Sequence, residues 1–231
     1  MILITTANFR SGGKSSIARL LAEKLNTTIL NFDKKRDSEA YNVVSTINIP
    51  ENKSIERKED CLILRNKTTE QTIKTKSNYL ICDLGGYFDE RLVDLKSDFY
   101  IIPSFDDYES ISESMRTAHY ILKNNIKAKI IFVLNGAFIV DKTTKDEKIK
   151  EFQEHIEVNG FNRFPTLFLP KTALMRKLVD ENTKKDDLKN KFEQNIKYKN
   201  VDKFVDELVG LITVPLQLNE MNNIKGIEWK I

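Results

Sequence analysis

Near its start the chain reads Asn8-Phe9-Arg10-Ser11-Gly12-Gly13-Lys14-Ser15-Ser16. An apolar run, Ile2-Leu3-Ile4, leads in. Ile17, Leu20, Leu21 and Leu25, at helical spacing, lead out. Glycines let a backbone wrap an anion, and the N–H groups opening a helix point at it. A lysine at Lys14 would reach the outer phosphates of a polyphosphate, and a hydroxyl at Ser15 would ligate Mg²⁺. The pattern Gly-x-x-x-x-Gly-Lys-Ser/Thr is intact in its second half, Gly13-Lys14-Ser15, while Asn8 stands at the first glycine position. A Gly-Lys-Ser triplet alone is common. Set between a buried strand and an amphipathic helix, it predicts a phosphate-binding loop rather than a helix cap beside an incidental lysine.

Two carboxylates sit where such a loop could use them. Asp83 closes the apolar run Tyr79-Leu80-Ile81-Cys82 and is followed by Leu84-Gly85-Gly86, the pattern of a Walker B strand. It would hold Mg²⁺, through water in keeping with that ion's hydration. Gly85 and Gly86 would let the backbone approach the outermost phosphate. Asp33 closes a second run, Ile29-Leu30-Asn31-Phe32, and could place a water in line with that phosphate; an ordinary turn or cap aspartate is the alternative.

The elements that must position these groups alternate along the chain. Strands are expected over 2–6, 27–33, 79–84, 99–103, 129–135 and 165–170. Helices are expected over 15–25, 108–123, 145–158, 173–179, 186–196 and 202–212. Near-continuous apolar strands separated by helices predict an α/β fold, a doubly wound and mostly parallel sheet flanked by helices. Residues 1–212 are expected to form a single domain, with 43–77 as a polar, β-rich insertion of hairpin or edge strands, and 213–231 as a C-terminal tail.

Composition agrees with a globular chain. Of 231 residues, 40% are hydrophobic and 31% charged, which argues against wholesale disorder. Lys and Arg total 37 against 34 Asp and Glu, and the net +3 is too small to indicate nucleic-acid binding by composition. Two cysteines, Cys61 and Cys82, cannot build a disulfide framework or a four-cysteine zinc site, so a cytoplasmic setting is expected. His119 and His155 have no ligand cluster at metal-binding spacing. No run reaches the ~18 apolar residues of a membrane span, and no leader peptide is expected.

Residues 8–16 resemble the deviant phosphate loop of the ParA/MinD family of ATPases, Lys-Gly-Gly-x-Gly-Lys-Ser/Thr-Ser/Thr. Gly13, Lys14, Ser15 and Ser16 match. The family's leading lysine falls on Phe9, and its two glycines on Arg10 and Ser11. That lysine reaches the partner's phosphates across an ATP-sandwich dimer. Arg10, one position along, either substitutes or is an ordinary solvated charge. Asp33 falls on the family's water-orienting aspartate, and Asn31 on the aspartate before it. Asn135 falls on a strand-end asparagine that contacts adenine, with a turn-capping asparagine as the alternative; Pro170 falls in a base-contacting turn. The resemblance spans about residues 1–182 and implies nucleotide contacts from Arg10, Ser11, Gly12, Gly13, Lys14, Ser15, Ser16, Asn135 and Pro170. It further implies Mg²⁺ held by Ser15 and Asp83, and catalysis by Lys14 and Asp33. The cofactors would be ATP or ADP with Mg²⁺.

The same resemblance implies a nucleotide-dependent switch in plasmid or DNA partition. ATP would favour a homodimer, a centromere-binding adaptor protein would stimulate turnover, and non-specific DNA would be a further partner, making the protein nucleoid-associated. Six lysines between Lys184 and Lys199 face only Asp186, Asp187 and Glu193, which suits phosphate contacts or a solvated helix equally. The tail 224–231 is too short and too polar for a membrane-binding helix. Two other readings stay open: an ATP-dependent metabolic enzyme similar to dethiobiotin synthetase, and a non-hydrolysing nucleotide-binding scaffold associated with conjugation.

Overall fold

The computed structural model describes residues 1–32, 45–50, 53–85, 90–137, 139, 141–171 and 196–220. Strands β1 (Ile2–Thr6), β2 (Ile29–Asn31), β3 (Thr46–Asn48), β7 (Tyr79–Asp83), β8 (Phe99–Ser104), β9 (Lys129–Asn135) and β10 (Thr166–Leu169) form one sheet. Its order is β10-β9-β8-β1-β7-β2-β3, and every neighbouring pair is parallel. Helices α1 (Lys14–Leu25), α2 (Arg91–Asp94), α3 (Tyr108–Asn124), α4 (Lys142–Val158) and α5 (Ile196–Glu220) accompany it.

Side-chain alternation builds two cores, one on each face. Leu3, Leu80, Tyr100, Ile102, Phe132 and Leu134 point to one face, where Ile111 and Met115 of α3 and Phe152 of α4 meet them. Ile4, Ile81, Ile101, Ile131 and Val133 point to the other, against Ile17 and Leu21 of α1 and Phe204 and Leu208 of α5. These strands are apolar at nearly every position because both of their faces are covered. The fold is therefore the expected doubly wound α/β layer.

The polar stretch between β2 and β7 resolves into two things. β3 extends the main sheet at its edge, and β4 (Ser54–Arg57), β5 (Leu62–Arg65) and β6 (Glu70–Ile73) form a separate antiparallel sheet. Arg57 ties that small sheet to the large one. Its guanidinium donates to the carbonyls of Lys96 and Met1 and to Asp98 Oδ2 at 2.7 Å, and Asp98 in turn accepts from the Leu3 amide at 2.8 Å.

Most expected elements appear with ends within a few residues. Helix α5 is the main departure. A helix expected to occupy 202–212 begins at Ile196 and runs to Glu220, into the stretch read as tail. The stretch from Thr213 shows no obvious period in the sequence, yet the helix continues into it; before it, Val201, Phe204, Val205, Leu208 and Ile212 bury one stripe of α5 against the sheet. The helix expected over 173–179, all but the last residue of the one expected over 186–196, and residues 221–231 lie outside the described residues.

Candidate nucleotide site

The strand ends gather the chemistry. Parallel register places Thr6 beside Asp83 and beside Ile101, and Asn31 beside Asp83. The carboxyl ends of β1, β2, β7 and β8 therefore lie together, the edge at which open α/β sheets bind ligands. The loop from β1 to α1 runs across this edge.

Its glycines are required by what surrounds them. A Cβ on Gly12 would come within 2.7 Å of the Pro103 carbonyl carbon, so the loop backbone lies flat on the end of β8. Gly13 is the N-cap of α1 with φ of 92°, in the left-handed region, and a Cβ there would overlap the Asn135 amide. A proline inside an interior strand is ordinarily excluded by its missing N–H. Here the Ile101 carbonyl still accepts from Ala7 of the β1 side. Two residues on, β1 has ended and the loop takes its place beside Pro103, whose carbonyl accepts Asn8 Nδ2 at 2.6 Å.

Asn8, standing at the first glycine position, is 2% exposed and uses its whole amide. Besides the bond to Pro103, Nδ2 donates to Ser114 Oγ at 2.9 Å, and Oδ1 accepts the Arg10 amide at 3.0 Å. Side-chain bonds thus hold a turn that a glycine would leave free. Lys14 is buried, and its ammonium donates to the Arg10 carbonyl at 2.8 Å, which keeps it folded over the loop. Ser15 and Ser16 are half-buried in the first turn of α1, a turn with no acidic residue. The first N–H groups of any α-helix lack intrahelical partners, and here the cap residue is a glycine with no side chain to satisfy them. Arg10 is half exposed and forms an ion pair with Glu109 of α3. Ser11 is exposed.

Asp83 is fully buried, and Oδ1 accepts from the Thr6 hydroxyl at 3.0 Å. Its neighbour Cys82 is also sealed in the sheet, and burial pushes that thiol far above its ordinary range. A buried carboxylate at the strand end beside β1 and a lysine in the loop that leaves β1 are the donor set a divalent cation and a polyphosphate need together, and the uncapped N–H groups opening α1 suit the anion. The residues present fit both groups.

Asn135 reaches the site from β9. Its Nδ2 donates to the Gly12 carbonyl at 3.1 Å, so the described contact of this side chain is with the loop. Pro170 follows β10 directly and is half-buried, one residue past the Asn135–Leu169 register pair. Asp33, Gly86 and the basic stretch 184–195 lie outside the described residues; Asn31, next to Asp33 in the chain, is buried with Nδ2 bonded to Asn48 Oδ1 at 3.0 Å. Cys61, just before β5, is buried; His119 packs on Phe161 at 4.5 Å between centroids, and His155 on Tyr108 at 6.0 Å.

Sequence reasoning did not single out Thr6, Pro103 or the hydroxyls of α3, all of which touch the loop or its aspartate. The α3 signal was present as Ser110, Ser114 and Thr117 at i, i+4 and i+7, beside the apolar stripe Ile111, Met115, Ala118 and Ile121.

No family model matches the chain, and no curated protein matches it in sequence. Solved structures do match it in fold. McdA from Cyanothece superposes with a TM-score of 0.60 at 10% identity, over 91% of this chain and 100% of that one. MinD from Pyrococcus horikoshii, a septum site-determining protein complexed with Mg-ADP, gives 0.57 at 14% identity, over 91% and 98%. A plasmid partition protein from Borrelia burgdorferi gives 0.53 at 15% identity, over 90% and 97%. The chain thus shares the α/β fold of these McdA, MinD and plasmid-partition structures.

Proposed function

We propose that the protein is a Mg²⁺-dependent ATPase of the ParA/MinD type. The observation that carries this reading is the joint placement of Gly12, Gly13 and Lys14 at the opening of α1 with the buried Asp83 on the adjacent strand end. Loop amides and the α1 N-terminus would bind the phosphates, and Lys14 would leave the Arg10 carbonyl to neutralise the β and γ groups. Ser15 and Asp83 would hold Mg²⁺, which supplies charge neutralisation at the phosphate oxygens. Asp33 would orient the attacking water. Pro170 would border the adenine, and Asn135, tied to the Gly12 carbonyl, would hold the loop beneath the nucleotide.

The neighbours in fold include proteins named for plasmid partition and for septum-site determination. This supports reading the ATPase as a switch that positions cargo. In that reading ATP favours a homodimer, and DNA and an adaptor protein act on the dimer. Light scattering on the purified protein tests it. With Mg-ATP the mass doubles, with Mg-ADP it returns to the monomer, and phosphate release is slow and rises with DNA or adaptor. Rapid turnover by a monomer, coupled to a small-molecule acceptor, would instead favour the metabolic enzyme.

A further inference from the structure

Four consecutive residues of the phosphate loop each make a contact with helix α3. Asn8 Nδ2 donates to Ser114 Oγ at 2.9 Å, and the Phe9 amide donates to Thr117 Oγ1 at 3.2 Å. Arg10 pairs with Glu109, and Ser110 Oγ donates to the Ser11 carbonyl at 3.4 Å. Phe9 also lays its ring against Tyr120 of the same helix. Ser110, Ser114 and Thr117 are all fully buried on one stripe of α3.

Hydroxyls are an odd choice for that stripe. Alanine favours helix more and carries no polar atom into the interior. What serine and threonine add is a directed acceptor. Ser114 spends its proton on the Ser110 carbonyl at 2.8 Å, and Thr117 spends its own on the Glu113 carbonyl at 2.7 Å. Each oxygen then has only lone pairs left to offer, and each meets a donor from the loop. The stripe is an acceptor rail whose spacing matches the loop's donors at Asn8 and Phe9.

We propose that Ser114 and Thr117, supported by Ser110, are positioning residues that hold residues 8–11 in their phosphate-binding shape before any nucleotide arrives. The inference rests on the ATPase reading above and deepens it. A preordered loop loses little conformational freedom on binding, so the rail strengthens affinity for the phosphate tail without touching it. It also replaces, in this chain, the ordering that a glycine-rich 8–11 segment cannot provide.

Calorimetry on the full chain tests the rail with Mg-ATP as the probe. The double variant Ser114→Ala/Thr117→Val, which removes both acceptors, weakens Mg-ATP binding about tenfold. Thr117→Ser, which keeps the hydroxyl, stays within about twofold of wild type. A double variant with native near-UV circular dichroism and wild-type affinity overturns the proposal. Hydrogen exchange on the nucleotide-free wild type needs no variant: the Phe9 and Arg10 amides exchange at least about tenfold slower than in an unstructured peptide. Free exchange at both overturns the rail as well. A wild type that binds no Mg-ATP, with those amides protected, overturns instead the functional reading and leaves the rail as a structural strap.

Discussion

Asn135 and Asp83 show how one side chain's partner decides its task. The Asn135 amide occupies the Gly12 carbonyl from inside the sheet edge. Replacing it with alanine leaves that carbonyl unpaired in a buried place, a cost of about 1–3 kcal/mol. Urea unfolding of Asn135→Ala shows that loss. Calorimetry shows affinities for ATP and GTP falling together, because the loop and not the base has lost its support; a selective loss of ATP affinity would assign the side chain to adenine. Asp83 is bound to the Thr6 hydroxyl through one oxygen. In Asp83→Asn the amide oxygen keeps that bond while the charge is gone. Binding of ATP then becomes indifferent to Mg²⁺, whereas the wild type loses most of its affinity when the ion is chelated.

At the scale of elements, β7 is the strand that sets Asp83 in place, and it is sealed. Leu80, Ile81, Cys82 and Asp83 are each 0% exposed, with β1 on one side and β2 on the other. Burial in apolar surroundings is the main reason the Cys82 thiol is pushed up. In a Cys61→Ser background, raising the pH to about 9, where an ordinary cysteine is largely thiolate, leaves Cys82 unreactive toward an aromatic disulfide. Unfolding in denaturant releases the full colour. Reaction of the native protein at that pH would mean that β7 opens on its own, and that Asp83 is less firmly set than the geometry requires.

Legibility in the sequence followed the same physics. Six parallel strands were readable, with ends a few residues off, because the interior ones are covered on both faces and therefore apolar at nearly every position, and the half-buried edge strand Thr166–Leu169 still carries Leu167, Phe168 and Leu169. β3 lies in the 43–77 stretch expected to hold hairpin or edge strands, but its place in the main sheet was not readable, since an edge strand of Thr46, Ile47 and Asn48 has no apolar run. The end of α5 was not readable because the residues from Thr213 to Glu220 carry no clear helical period, and the buried stripe of α5 runs from Val201 to Ile212. Gly12, Gly13 and Lys14 stood out as a loop, but their supports did not. Ser114 and Thr117 lie over a hundred residues away in the chain from Asn8 and Phe9, and no local pattern joins them.

For the whole molecule, the sheet, its two helical layers and the small sheet held by Arg57 bring one loop and one aspartate to a common edge. The central claim is that this edge binds a Mg²⁺-bound triphosphate through Lys14. Titration calorimetry of wild type and Lys14→Ala with ATP, each with Mg²⁺ and with chelator, tests it most directly. The wild type is expected to bind in a Mg²⁺-dependent way and Lys14→Ala to lose about a hundredfold in affinity, the scale of a charge-assisted phosphate contact. Equal affinity in the two proteins, or none in either, would contradict that claim.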